Sequence, residues 1–445
     1  MAGEWVETSL AAVMDVNHGF AFPGENIRED LPGDILLTPG NFAIGGGFKG
    51  DRFKYFDGEV PTDYVLSEGD LIITMTDLSK QADTLGYPAL VPKSGGTRFL
   101  HNQRLGKVLI KDKAELDRGY LYYLLCTADY RHEVLASATG TTVKHTSPSR
   151  ILAYKASIPP LAEQKAIAAV LGALDDKIEL NRRMNAKLEE MARALFQSWF
   201  VDFDPVRAKL DGREPVGLDS DTAAFFPEHF DHGEHDMLPV GWGLVAIEEV
   251  CAINAWTLGK YDDLETLEYV EISEVSRGNI ANIANYQRGE EPSRARRRLR
   301  HGDTVLSTVR PDRGSYFLSL NPPENRVCST GFAVLTPSKV PWSFLHVALT
   351  LPDVSDHLGQ MADGGAYPTV RPEVIGAMQV SLPKNPKVLE AFHRTCAPLF
   401  EQAEANRTQS RTLATLRDTL LPKLLSGELQ PTQSCPTGET LCQTT

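Results

Sequence analysis

This 445-residue chain lacks several of the features by which membrane, secreted and nucleotide-processing proteins announce themselves. No apolar run approaches the ~20 residues needed to span a bilayer. The opening Met1–Leu10 has neither the basic nor the apolar region of a secretory leader, so a cytoplasmic protein with no membrane contact is expected. The six cysteines, Cys126, Cys251, Cys328, Cys396, Cys435 and Cys442, include no C-x-x-C pair and read as reduced, mostly buried thiols, neither a disulfide nor a zinc framework. Positive charge is short: 45 Lys and Arg against 59 Asp and Glu leave a net charge of −14, which argues against wholesale coating of nucleic acid but not against a local basic field. The glycines Gly45 to Gly50 lack the spacing and the following helix of a phosphate-binding loop. His232-Gly-Glu-His235 misses the spacing that puts two metal ligands on one helical face. Asn321-Pro-Pro is followed by Glu324, which cannot stack on a base as the aromatic of an amino-methyltransferase motif does, and it reads as a turn. No catalytic residue, metal or cofactor is expected in this chain.

What the chain does have is a duplication. Ala138 to Pro160 aligns without a gap on Ala362 to Lys384, an offset of 224, and the match resumes after one inserted residue with Asn181-Arg182 on Asn406-Arg407. Upstream, Trp5 answers Trp242, and Gly69-Asp70 answers Gly302-Asp303. Short β-type runs such as Asp34–Thr38 and Asp70–Thr74 alternate with turn signals, and one helix is expected near Gly119 to Leu135. The expected fold is α/β (α+β): two mixed, β-rich modules, residues 1–157 and 241–384, separated by two long antiparallel coiled-coil helices, residues 158–203 and 385–427, with a pseudo-twofold. Residues 204–240, rich in Asp, Gly, Pro and His, read as a surface linker, and 428–445 as a disordered tail.

The helices are legible from their period. Ile167, Leu171, Leu174, Ile178, Leu188, Ala192, Leu195 and Trp199 recur at steps of four and three, a heptad seam. Asn181 and Asn185 fill the two intervening seam positions. The second copy repeats the pattern as Phe392, Cys396, Leu399, Ala403, Asn406, Ser410, Leu413 and Leu420. A seam Asn weakens a coiled coil but fixes its register, because only a matching polar group satisfies it. Helices of this length reach about 50 Å at 1.5 Å per residue.

A duplicated, two-surface protein suits duplex DNA, whose approximate dyad rewards duplication. From Arg288 to Arg313 there are eight arginines against four acids, a local positive surplus inside an acidic chain. For an isolated run of this kind a solvated, salt-bridged face is the ordinary explanation; the duplication shifts the weight toward phosphate contact.

The segment from Ile158 to Val206 (IPPLAEQKAIAAVLGALDDKIELNRRMNAKLEEMARALFQSWFVDFDPV) closely resembles the central conserved region of Type I restriction–modification specificity subunits. Leu416 to Leu429 resembles their distal conserved region, and Leu71–Ala89 and Glu290–Phe317 resemble two classes of their target-recognition domains. The resemblance implies a non-catalytic subunit whose two target-recognition domains each read one half of a bipartite DNA site. It implies that the paired helices measure the gap and dock two modification (methyltransferase) subunits, which would use S-adenosylmethionine, and that motor/nuclease restriction subunits complete the complex. Phosphate contacts fix position and base-edge contacts select sequence. Candidates for these contacts are Lys80, Gln81, Lys93, Arg98, Gln103, Arg104 and Lys144 in the first module. In the second they are Arg294, Arg296, Arg297, Arg298, Arg310, Arg313, Tyr367 and Arg371. Lys144 and Arg371 stand out because they follow Gly140 and Gly364 in corresponding segments. Two rival readings are a single-chain methyltransferase or nuclease with its own recognition domain, and a coiled-coil scaffold with no DNA role.

Overall fold

The computed structural model describes residues 4–50, 52–79, 81–232, 237–259, 262–365 and 367–431. It divides into two units, Met1–Ile178 with Thr412–Thr445, and Glu179–Arg411.

The first unit grows around Leu71–Thr74, a run of Leu-Ile-Ile-Thr buried along its whole length. Such a run belongs in the middle of a sheet. Leu71–Thr74 lies between Leu105–Ile110 and Pro88–Leu90, with Met14–His18 on the far side of Leu105–Ile110, all antiparallel. Pro88 sits on the edge strand, where its missing N–H breaks no ladder. A five-stranded sheet runs Ile27–Arg28, Lys54–Phe56, Asp34–Leu36, Phe99–Leu100, Val65–Leu66, with one parallel pair, Asp34–Leu36 beside Phe99–Leu100. A ribbon of Val6–Ser9 on Lys155–Ile158 closes the unit, followed by a one-turn helix, Leu10–Val13, that buries Leu10 completely.

The second unit repeats the four-stranded antiparallel sheet, the closing ribbon and the one-turn helix of this plan. Its antiparallel sheet runs Cys251–Ile253, Phe332–Pro337, Asp303–Ser307, Tyr316–Ser319. The closing ribbon pairs Trp242–Ala246 with Gln379–Pro383, and the one-turn helix Ile247–Val250 buries Ile247. A second sheet, Ala284–Gln287, Thr266–Val270, Arg326–Ser329, Ala295–Arg298, again has one parallel pair. The duplication seen in the sequence is therefore a duplication of topology.

The first long helix spans Leu161–Phe196 and ends in a wider, π-type turn, Gln197–Val201; the second spans Pro386–Leu425. Within the first unit, Ile167 and Leu171 are fully buried in a core that also takes in Leu420, Leu421 and Leu424, while Leu174, Ile178 and Leu413 are half-buried. The Arg417 guanidinium pairs with Asp175 at 2.7 Å, and the Tyr123 hydroxyl donates to the other oxygen of the same carboxylate. Within the second unit the helices run antiparallel: Asn181 meets Asn406 and Ser410, whereas Phe196, fifteen positions on, meets Phe392. The Asn181 amide donates to the Asn406 carbonyl (3.3 Å), Gln409 Oε1 (2.9 Å) and Ser410 Oγ (3.3 Å). The Asn406 amide donates to Asn185 Oδ1 at 2.8 Å, and Asn185 donates to the Ala403 carbonyl at 3.0 Å. Leu188, Leu195 and Leu399 are half-buried, the last two against the core that holds Phe196 and Phe392.

Two expectations change. Residues 204–240 are not a bare surface connection: Asp204–Leu210 is a helix, and Val206 and Phe226 are buried with Phe203 in the second unit's main core. Burying each such side chain is worth about 1.5–3 kcal/mol, which outweighs the polar composition around them. The single helix expected near Gly119 to Leu135 is two, Arg118–Leu124 and Ala128–Ala136, because the Thr127 side chain accepts the Tyr130 N–H and starts the chain anew. The cysteines whose side chains are described, Cys126, Cys251, Cys328 and Cys396, are free thiols, and burial pushes those of Cys251 and Cys396 up to about 12. Gly233–Asp236 and Thr432–Thr445, with the expected tail's last cysteines, lie outside the described residues. Among the described residues no helix is long and apolar enough to cross a membrane.

Candidate nucleic-acid interface

In both units the loop leaving the buried central strand is clamped by two other loops. In the first unit Met75 N–H donates to the Arg104 carbonyl (2.9 Å), and Thr146 N–H donates to the Met75 carbonyl (3.0 Å). In the second, Thr308 N–H donates to the Gly331 carbonyl (2.9 Å), and Val370 N–H donates to the Thr308 carbonyl (2.8 Å). The third element is a hairpin, closed by Thr139 on His145 in one unit and by Asp363 on Thr369 in the other, each at the 224-residue offset. Its turn needs glycine: Gly140 has φ +94° and Gly364 has φ +105°, where a side chain is strained. A Cβ on Gly140 would come within 1.9 Å of the Val143 carbonyl oxygen.

This arrangement sorts the candidate residues of the first unit. Gln81, Gln103, Arg104 and Lys144 all lie on the three clamped loops, the first three exposed and Lys144 half-buried opposite Asp77. Lys80 lies outside the described residues. Lys93 is exposed but belongs to a different loop, and Arg98 is committed to a two-pronged pair with Asp34 on the five-stranded sheet. The loop itself is built on Asp77, whose buried carboxylate accepts the Ser79 N–H (2.6 Å), the Thr84 N–H (2.5 Å) and the Thr84 hydroxyl (2.7 Å). Burial works to raise this carboxyl, but the hydrogen bonds from Thr84 and Ser79 outweigh it and hold its pKa below the ordinary value. Arg131 backs the loop from the helix Ala128–Ala136, donating to the Ala82 carbonyl with its guanidinium 4.4 Å from the Tyr87 ring centroid. His145, on the hairpin, meets the Thr76 hydroxyl at 3.1 Å.

In the second unit Arg294, Arg310, Arg313, Tyr367 and Arg371 gather around Thr308–Gly314. Thr330 N–H donates to the Arg294 carbonyl beside Gly331, Arg310 N–H donates to the Pro368 carbonyl (2.8 Å), and Arg313 N–H donates to the Arg310 carbonyl (3.0 Å). Arg294, Arg313 and Arg371 are exposed, with the acids Asp312 and Asp363 beside them. The eight-arginine run is not one basic face. Its strand, Ala295–Arg298, carries Arg296, Arg297 and Arg298 half-buried. Arg296 donates to the Ser293 carbonyl, Arg298 reaches Asp262 and Glu324, each at 3.5 Å, Arg288 pairs with Glu291, and Arg300 lies over the Trp256 ring. Nor are Lys144 and Arg371 equivalent: Lys144 corresponds to Pro368, and Arg371 corresponds to Ser147, each of the latter two preceding a short helix.

The sequence reading missed Arg277, whose N–H donates to the Gly314 carbonyl (2.8 Å) and which is exposed beside the same loop. Its only signal was the Arg277-Gly278 turn dipeptide, which says nothing about which loop it faces. Arg131 and His145 were missed too, the one a helix residue like any other, the other a residue whose value appears only when the hairpin is closed.

Comparison with known proteins finds one family of relatives. The family described as the Type I restriction modification DNA specificity domain matches residues 4–190. The specificity subunit of Type I restriction enzyme HindI from Haemophilus influenzae is 26% identical over 79% of this chain and 87% of its own length. The specificity subunit of MjaIX from Methanocaldococcus jannaschii is 24% identical over 96% of this chain and 94% of its own. The crystal structure of the Type I restriction–modification S subunit from M. genitalium shares the fold, with a TM-score of 0.53 and 17% identity over 94% of this chain and 96% of that one. Domain match, relatives and fold point the same way: this chain is similar to the Type I restriction–modification specificity subunits.

Proposed function

We propose that the chain is the DNA-reading, non-catalytic subunit of a Type I restriction–modification complex. Each unit reads one half of a bipartite duplex target through its three clamped loops. The paired helices dock two modification subunits, which bring S-adenosylmethionine and the methyl-transfer chemistry, and motor/nuclease subunits join them. The observation that carries this reading is the recurrence of one loop arrangement on one topology, with different side chains in each copy. A protein that reads two different half-sites needs a constant frame and variable loops. Base-edge readers of the type that discriminate by hydrogen-bond pattern, Gln81, Gln103, Arg104 and Lys144 in one copy and Arg294, Arg310, Arg313 and Arg371 in the other, occupy those loops. The acidic remainder of the chain limits non-specific attraction to phosphate.

The test is to co-express the chain with its modification subunit and to read methylated positions in the host genome by methylation-sensitive sequencing. A two-part motif with an unspecified gap is the expected result. Methyl transfer by the purified chain alone, or a single undivided motif, overturns the reading.

A further inference from the structure

Among the second unit's loop residues Arg277 (φ +43°) and Arg310 both have a left-handed backbone, and Arg310 differs in the proline that follows it. Arg310 takes φ +46° and ψ +59°, the left-handed region, and it does so immediately before Pro311. A non-glycine residue resists that conformation, and a following proline restricts it further. The strain is held in place from both sides: Arg310 N–H donates to the Pro368 carbonyl, and the Arg310 carbonyl accepts the Arg313 N–H. Strain maintained at a non-glycine position points to a use for the side chain it aims.

That side chain is aimed at Tyr367. The Arg310 guanidinium lies 5.1 Å from the Tyr367 ring centroid, and the tyrosine, at the hairpin tip, is 73% exposed. An exposed aromatic alone would signify nothing. Here it forms a shelf that holds a planar, five-donor cation, limiting its rotamers before any ligand arrives. In the first unit the same two positions are Asp77, buried and engaged by Ser79 and Thr84, and Val143. Neither of these two residues can present a shelved cation.

We propose that Arg310, shelved on Tyr367, is the principal base-reading side chain of the second unit, and that it reads a guanine. The guanidinium fork matches the two major-groove acceptors of guanine, O6 and N7, and one such pair is worth roughly ten- to a hundred-fold in discrimination against the wrong base. Tyr367 keeps the fork oriented, so less freedom is lost on contact. The inference rests on the DNA-reading function proposed above and assigns one of its half-site positions.

The test compares the native complex with complexes carrying Arg310→Gly, Arg310→Lys, Tyr367→Ala and Tyr367→Phe, reading methylated motifs in the same host genome. Arg310→Gly relieves the backbone strain, so its fold and its co-purification with the modification subunit are expected to persist. Both Arg310 variants are expected to lose discrimination at one G·C position in one half of the motif, by roughly ten- to a hundred-fold, with the other half unchanged. Tyr367→Ala is expected to weaken the same position and Tyr367→Phe to restore it. A uniform drop in methylation with the motif intact would make Arg310 a phosphate contact and overturn the proposal, as would an unchanged motif, a change in both halves, or unfolding of Arg310→Gly. A native complex with no two-part motif would sink the DNA-reading function itself, and is distinguishable from all of these.

Discussion

The two units solve one problem with opposite charges. After the same buried strand, the first unit places Asp77, and the second places Arg310. The first carboxylate faces inward and spends its hydrogen-bonding capacity ordering its own loop. The second cation lies against an exposed ring, and its loop is ordered by backbone contacts to the hairpin and by Pro311. The lesson is that this topology constrains where the loops go and leaves open how they are stiffened. A loop stiffened from inside exposes only its neighbours, such as Gln81; a loop stiffened by backbone can present its own central residue.

The largest effect that would break this comparison is Asp77→Ala. Removing the carboxylate leaves the half-buried Ser79 and Thr84 N–H groups without their acceptor, at a cost of about 2–4 kcal/mol to the first unit. Hydrogen exchange should show residues 76–87 opened while the second unit's amides keep their protection. Opening in both units would mean that the loops are not separately stabilised.

The next effect concerns pH, and its sign differs between the units. Asp303 starts the central strand of the second unit, fully buried, accepting from the Thr336 hydroxyl and the Arg300 N–H, each at 2.7 Å. Burial pushes its carboxyl up to about 6 despite those bonds. A folded-state pKa above the unfolded one gives a contribution complete below about 3.8 and lost as pH rises through about 6. Asp77 is the reverse: its lowered pKa contributes above the ordinary carboxylate range and is lost on acidification. Asp303→Asn, which keeps one acceptor oxygen for the Thr336 and Arg300 donors, should therefore improve relative to the native second unit as pH rises from about 5 to 7.5, by on the order of 1–2 kcal/mol. Denaturant titrations across that range decide it; a gain that does not vary with pH would remove ionised Asp303 as the cause.

A smaller effect separates the hairpins. Gly140→Ala should destabilise by about 2 kcal/mol or more, since its Cβ would strike the Val143 carbonyl as well as strain the backbone. Gly364→Ala should cost about 1 kcal/mol, because its nearest contact, the Tyr367 carbonyl oxygen, lies at 3.3 Å. Thermal melting of both variants checks the ranking, and equal losses would show that the two tips close alike.

The smallest expected change in stability is that of Asn181→Leu. Its amide makes three hydrogen bonds, but its buried Oδ1 has no partner, so replacement should alter stability by under ~1 kcal/mol. Register should suffer instead: disulfide trapping with Asn185→Cys and Asn406→Cys should turn from a single efficient cross-link into a weak one. Retained trapping would assign register to the aromatic cluster around Phe196 and Phe392.

Much of the frame was legible in the sequence because periodicity reports burial. The heptad steps from Ile167 to Trp199 gave the first long helix, and the 224-residue offset aligned the two segments that fold as hairpins. The loops resisted reading because their chemistry is decided by neighbours far along the chain. Arg98 resembles Arg104 in sequence until Asp34 claims it, and three consecutive arginines on Ala295–Arg298 cannot share one face of a strand. The segment 204–240 misled for a related reason: Val206 and Phe226 are buried in the core although Leu210 and Val216, beside them in sequence, are exposed.

Trp5 lies against Gly427, close enough that a Cβ there would sit 3.3 Å from the indole. The first unit is thus made of the two ends of the chain, and on the ribosome it cannot be finished in the order in which it is begun. Ile167 and Leu171 emerge early, but Leu420 and Leu424, which share their core, arrive only after all of Glu179–Arg411 has been made. At ~5–20 residues per second the nascent helix waits on the order of ten seconds or more with its apolar face uncovered. The uninterrupted second unit is free to fold during that interval, so the module translated first is the one completed last.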